Sequence, residues 1–173
     1  MPYALIRDNT TLLKSVERLL DRISSEAYAG SRLPGKAGIG PHVRHALDHY
    51  QCLLEGISSG FIDYDHRERL REIESDRAAA VACIERMLIG MESLIGMPLH
   101  KPLKVRMDSG KETDRETNIH PSSLGRELQF LVSHTVHHFA IIDLHCSILG
   151  VEVPEGFGVA PSTLRHREQL ASE

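Results

Sequence analysis

Two groups of histidines carry the chemistry for which this sequence can be read. His134 and His138 are four residues apart in a stretch with helical patterning. An α-helix turns by about 100° per residue, so this spacing puts both rings on one face, a turn apart. Two imidazoles so placed can share a metal ion at about 2.0–2.1 Å from each nitrogen, and a third ligand must then come from another helix. His42, His45 and His49 stand together in a second helical stretch and offer that ligand. Periodicity sets His42 and His49 nearer the middle of that stretch's apolar arc than His45, and does not choose among them. Eleven histidines occur in 173 residues, four of them within 134–145. Burying imidazoles without partners costs about 1–3 kcal/mol for each unmet group, a cost that a shared ion removes.

The other polar groups of the last helical stretch are placed by the same geometry. His134 and His138 share a stripe with Leu131, Ile141 and Leu149, which predicts that they point inward. His137 points away by roughly 60–100°. His145 is on the stripe but about 10.5 Å beyond His138 along the axis, too far to share its ion. Glu127 is two turns before His134 and reads as a water-linked or substrate-facing group. Asp48 and His49, one turn on from His45, are the candidates for a supporting or proton-transfer role.

The elements that must position these residues are helical. Leu12, Val16, Leu19, Leu20 and Ile23 predict a helix within 4–26, and four glycines and a proline in 27–40 break it. Pro41 suits the first turn of a helix over 41–59. Segment 60–75 is crowded with charge of both signs and reads as a solvated connection, in which Arg67, Arg69 and Arg71 are the groups able to guide an anionic substrate. Ser75 is the expected N-cap of a third helix over 76–96. Alternation at Leu103, Val105 and Met107, with a turn at Asp108-Ser109-Gly110-Lys111, predicts a short β-hairpin across 102–118. The last helix is expected over 122–149, with Gly150 as its stop. From Phe130 to Val151 its only acidic or basic residue, histidines aside, is Asp143, so it should be central or at a subunit interface. The tail, 151–173, is expected to wrap the surface without regular structure.

Four amphipathic helices and no internal repeat predict an all-α four-helix bundle, a single domain over 1–173 with its core at about 4–150. Hydrophobic residues at 41% and charged residues at 25% fit a soluble protein with a real core. A net charge of −4 and 5% aromatics argue against nucleic-acid binding. No stretch approaches the roughly 18 apolar residues of a membrane span, and no basic region precedes an apolar run at the start. Cys52, Cys83 and Cys146 are odd in number and widely spaced, so they read as reduced core thiols of a cytoplasmic protein.

Two motifs carry a resemblance. Ile-Gly-Pro-His-Val-Arg-His45-Ala-Leu-Asp-His-Tyr resembles the second-helix motif of DinB-like proteins. His134-Thr-Val-His-His138-Phe-Ala-Ile-Ile resembles their last-helix motif, and Leu149-Gly150-Val151-Glu152-Val153-Pro154 resembles the exit from that helix. After His138 this chain has Phe139-Ala140-Ile141 where the family pattern has Arg-Gly-Gln. The resemblance implies an up-down-down-up bundle, commonly dimeric, that binds zinc, nickel or iron through His45, His134 and His138. It also implies a small-molecule substrate, in some relatives a low-molecular-weight thiol. Three protein nitrogens leave open positions on an ion, which suits a hydrolase or a thiol transferase. The rival expectation is a non-catalytic, stress-linked binding or structural module in which the metal or the histidine network staples the bundle.

Overall fold

The computed structural model describes residues 2–31, 33–108, 110 and 118–172. They are mostly helical, with one small sheet. Four long helices dominate: α1 (Pro2–Leu20), α3 (Ile39–Gly56), α5 (Arg77–Ser93) and α6 (Leu124–Leu149). Helices α1 and α3 each pack against both α5 and α6. Their facing stripes meet in one core that includes Leu13, Leu19, Leu47, Leu53, Ile84 and Leu131. Each such side chain, fully buried, contributes about 1.5–3 kcal/mol through removal of apolar surface from water.

The helix ends follow local chemistry. Gly150 closes α6 in the left-handed conformation at φ 68°, as its position predicts. Helix α5 starts one residue later than expected. Asp76, not Ser75, is its N-cap, accepting from the Ala78 N–H at 2.8 Å. Ser75 instead ends a short helix, α4 (Arg71–Ser75), and donates back to the Arg71 carbonyl. The first helical stretch is split into α1 and a short α2 (Ser25–Ala29).

Segment 60–75 is more than a solvated connection. Phe61–Asp63 forms β1, which pairs in parallel with β2 (Pro102–Arg106); β2 pairs antiparallel with β3 (Ile119–Ser123). Ile62, Tyr64 and Ile73 are buried among the charged residues that hid them. The hairpin therefore exists, but its second strand lies later than the expected 102–118 and takes up Pro121–Ser123, which read as a helix start. Of the expected turn, Ser109 and Lys111 lie outside the described residues. Gly56 lets α3 end directly on β1: a Cβ there would approach the Phe61 carbonyl oxygen to 2.3 Å.

The tail also departs from expectation. Residues 161–170 form α7 (Pro161–Leu170), started by a proline at its first turn, where the missing N–H costs nothing. Among the described residues no helix is long and apolar enough to cross a membrane.

Candidate metal centre

Helices α3 and α6 lie side by side and bring the two histidine groups together. His45, His134 and His138 each present a ring nitrogen, and the three atoms all lie within 4.8 Å of one another. Ring centroids are 5.0 Å apart for His45 and His134, 4.5 Å for His45 and His138, and 4.6 Å for His134 and His138. All three side chains are half-buried. They sit on the shoulder of the α6 core stripe, whose buried positions include Leu128, Leu131, Thr135, Phe139, Ile142 and Cys146. Ile141 and Leu149, expected on the same stripe as the histidines, are likewise only partly buried, so this face of α6 is less deeply inward than expected. A position at the stripe's edge leaves one side of the cluster accessible.

Burial, and then the charge of neighbouring groups, holds these rings far below the usual imidazole value of 6.5. His45 falls to about 2, His138 to about 3 and His134 to about 4. They are neutral at physiological pH, the form in which imidazole binds metal.

The surrounding histidines have different tasks. His42 Nδ1 lies 3.0 Å from His138 Nδ1, so one ring donates and the other accepts. With Nδ1 so engaged, Nε2 is the nitrogen of His138 left to ligate, and His42 fixes the ring's orientation. His49 is buried and donates from Nδ1 to the His45 carbonyl oxygen at 2.8 Å. Its Nε2 faces Arg67 Nη1 at 3.4 Å. His137 is exposed, and His145 is buried with its ring 6.2 Å from that of His42. Asp48 accepts from Arg44 at 3.1 Å, and Arg44 also pairs with Glu74, so the Asp48 carboxylate is tied into an ion-pair network.

The donor set fits a metal ion. His134 Nδ1 is buried and has no hydrogen-bond partner among the described residues. Buried polar atoms are rarely left so, and an orphan inside a cluster of neutral imidazoles is one that a cation could satisfy. Imidazole donors suit zinc, iron or nickel.

Against known folds, the chain aligns with the crystal structure of a DinB-like protein from Bacillus cereus at a TM-score of 0.60. The alignment covers 87% of this chain and 93% of that one, at 16% sequence identity. The chain has the DinB-like fold. No family model matches it. A second likeness is in sequence: FK506-binding protein 5 of Rhizopus delemar is 38% identical over 105 residues. That match takes in 61% of this chain and only 27% of the relative, so the chain spans about a quarter of that protein's length.

In this DinB-like fold two aromatic residues complete the site without having stood out in the sequence. Phe130 stacks on His134 at 5.5 Å, and Tyr64 stacks on His49 at 5.4 Å. The Tyr64 hydroxyl donates to Glu127 at 2.9 Å, which is fully buried and also accepts from Ser122 and Arg126. Glu127 thus braces the wall rather than facing the cluster. The signal for Tyr64 was the alternation Ile62, Tyr64, masked by acidic residues at 63 and 65.

Proposed function

We propose that His45, His134 and His138 hold one divalent ion, zinc, nickel or iron, and that the chain is a metal-dependent enzyme of hydrolase or thiol S-transferase type. The observation that carries this is the triad of ligand atoms within 4.8 Å, one of whose rings has a buried, unpartnered nitrogen. A metal bound there would act as a Lewis acid toward a water or a thiol. The chain's own residues supply the rest. His42 orients His138. His49 keeps its proton on Nδ1 and presents an unprotonated Nε2 beside the cluster, so of the two proton-transfer candidates we favour His49 over Asp48. Phe130 and Tyr64 exclude water from one side of the site.

The wider reading is a single-domain, up-down-down-up four-helix bundle that acts as a cytoplasmic homodimer on a small molecule, among which a low-molecular-weight thiol is a candidate, with no role for nucleic acid or membrane. Three buried free cysteines support a reducing compartment. Leu144 and Ile148, 55% and 48% exposed on α6, support a subunit contact. The second reading is a non-catalytic stress-linked module stapled by metal or histidines, for which the same three-histidine group would serve.

Elemental analysis of tag-free protein beside the His134→Ala/His138→Ala double variant is the test. About one equivalent of metal in the native protein and none in the variant is expected. Absence of metal from the native protein, even after reconstitution, would sink the enzyme reading. Bound metal that stabilises the fold yet exchanges no ligand with added thiols or azide would favour the module.

A further inference from the structure

We infer that Arg67 is the anion-holding residue of the three-histidine site, and that the site's substrate is a small molecule bearing a carboxylate or phosphate. This rests on the metal-site reading above and adds the chemical class of the substrate.

The other arginines with a buried guanidinium nitrogen have carboxylate partners. Arg44 pairs with Asp48 and Glu74, and Arg106 with Asp63 at 3.0 Å. Arg67 is different. Its Nη1 donates to the Tyr64 carbonyl oxygen at 2.7 Å and reaches toward His49 Nε2. Its Nε is buried without a partner. Among the described residues no carboxylate lies within 4.0 Å of it. A half-buried guanidinium without a direct ion pair is costly to keep, because little Coulomb energy offsets its desolvation. Its charge reaches His45, His49 and His134, whose protonation it opposes, and Asp48, whose ionisation it favours but whose carboxylate is held by Arg44. An ion at the triad would add further positive charge. An anion is the group that would complete this arrangement, since the guanidinium adjoins His49, whose ring lies 4.0 Å from that of His134.

The guanidinium is also held ready. Asp63 Oδ1 accepts from the backbone N–H groups of Asp65 and His66, which fixes the turn leading to Arg67. Asp63 Oδ2 is itself held by Arg106. Tyr64, whose carbonyl anchors Arg67, is pinned by its hydroxyl to Glu127. A guanidinium set by backbone and side-chain bonds offers a planar fork that matches two oxygens of a carboxylate or phosphate, at little entropic cost on binding. Arg69 and Arg71, exposed, have no such framing.

The test is isothermal titration of the zinc-loaded protein with acetate, oxalate and inorganic phosphate, with acetamide as the neutral control. At least one anion is expected to bind saturably, and acetamide not at all; the preferred anion tells carboxylate from phosphate. Arg67→Gln should weaken that binding at least tenfold while zinc affinity stays equal or rises, since a nearby positive charge is gone. Arg67→Lys, which keeps the charge and loses the fork, should fall between; if the glutamine variant does not fold, a loss of threefold or more in the lysine variant decides. Anion binding that is absent from the zinc-loaded protein, or indifferent to both substitutions, overturns the inference and leaves the metal site standing. Failure of the native protein to take up zinc would instead remove the metal site and this inference together.

Discussion

Two polar clusters lie across the same helices, and they are built on opposite principles. Asn9, Tyr50 and Thr135 join α1, α3 and α6 in the core, each at most 1% exposed. Every part of that cluster is satisfied. Asn9 donates to the Leu5 and Leu128 carbonyl oxygens, the Tyr50 hydroxyl donates to Asn9, and Thr135 donates to Tyr50. The histidine cluster, at the edge of the α3–α6 contact, is half-buried and incomplete: among the described residues His134 Nδ1 and Arg67 Nε lack hydrogen-bond partners. A closed polar network fixes how helices pack. An open one, maintained at a cost in stability, is what a binding site requires.

Acid should break the contrast most strongly. His45, His49, His134 and His138 all have values pushed below 6.5 in the folded chain, to between about 2 and about 4. The unfolded chain therefore takes up protons below pH 6.5 that the folded chain refuses. Stability is at its fullest above that pH and falls as pH drops toward 4. For the metal-free protein, urea unfolding between pH 7 and 4.5 should show a slope steeper than one proton, more than about 1.4 kcal/mol per pH unit. A flat profile would mean that these rings are solvated.

Asn9→Ala attacks the closed cluster. It strands the Tyr50 hydroxyl and removes a donor from Leu128, for a loss of about 2–3 kcal/mol in unfolding free energy. Metal affinity should not move, and a parallel fall in both would erase the distinction between the clusters.

His42→Phe sharpens it from the other side. Losing the bond to His138 Nδ1 should lower metal affinity by about 10–100-fold with little change in stability, and His42→Gln should recover part of the loss. Competition with a chromogenic chelator measures both variants.

The helices, and the pairing of His134 with His138, were legible because they rest on periodicity. Apolar residues at helical spacing marked α1, α3, α5 and α6, and the four-residue step placed His134 and His138 on one face. Local chemistry also revealed the Gly150 stop. Segment 60–75 was misread because its few apolar residues are interleaved with charge, and a three-residue strand acquires its meaning only from the partner it pairs with. The tail helix depended on a proline in the first turn, a weaker signal than apolar spacing.

What the sequence determined by itself was a helical chain with two histidine groups, each confined to one helix, since that information is local to a turn or two. Periodicity did not say which histidine of α3 meets the pair on α6; the motif resemblance implied His45, and the packing of α3 on α6 brings that ring to the cluster. His42, His45 and His49 occupy similar arcs of one helix, and only the packing of α3 on α6 sends one ring to the cluster, one to His138 and one to Arg67. The same holds for Arg67 and Tyr64, which reach the site because Gly56 lets β1 return beneath α3. Contacts between residues far apart in the chain depend on the relative placement of elements, and no local pattern encodes it.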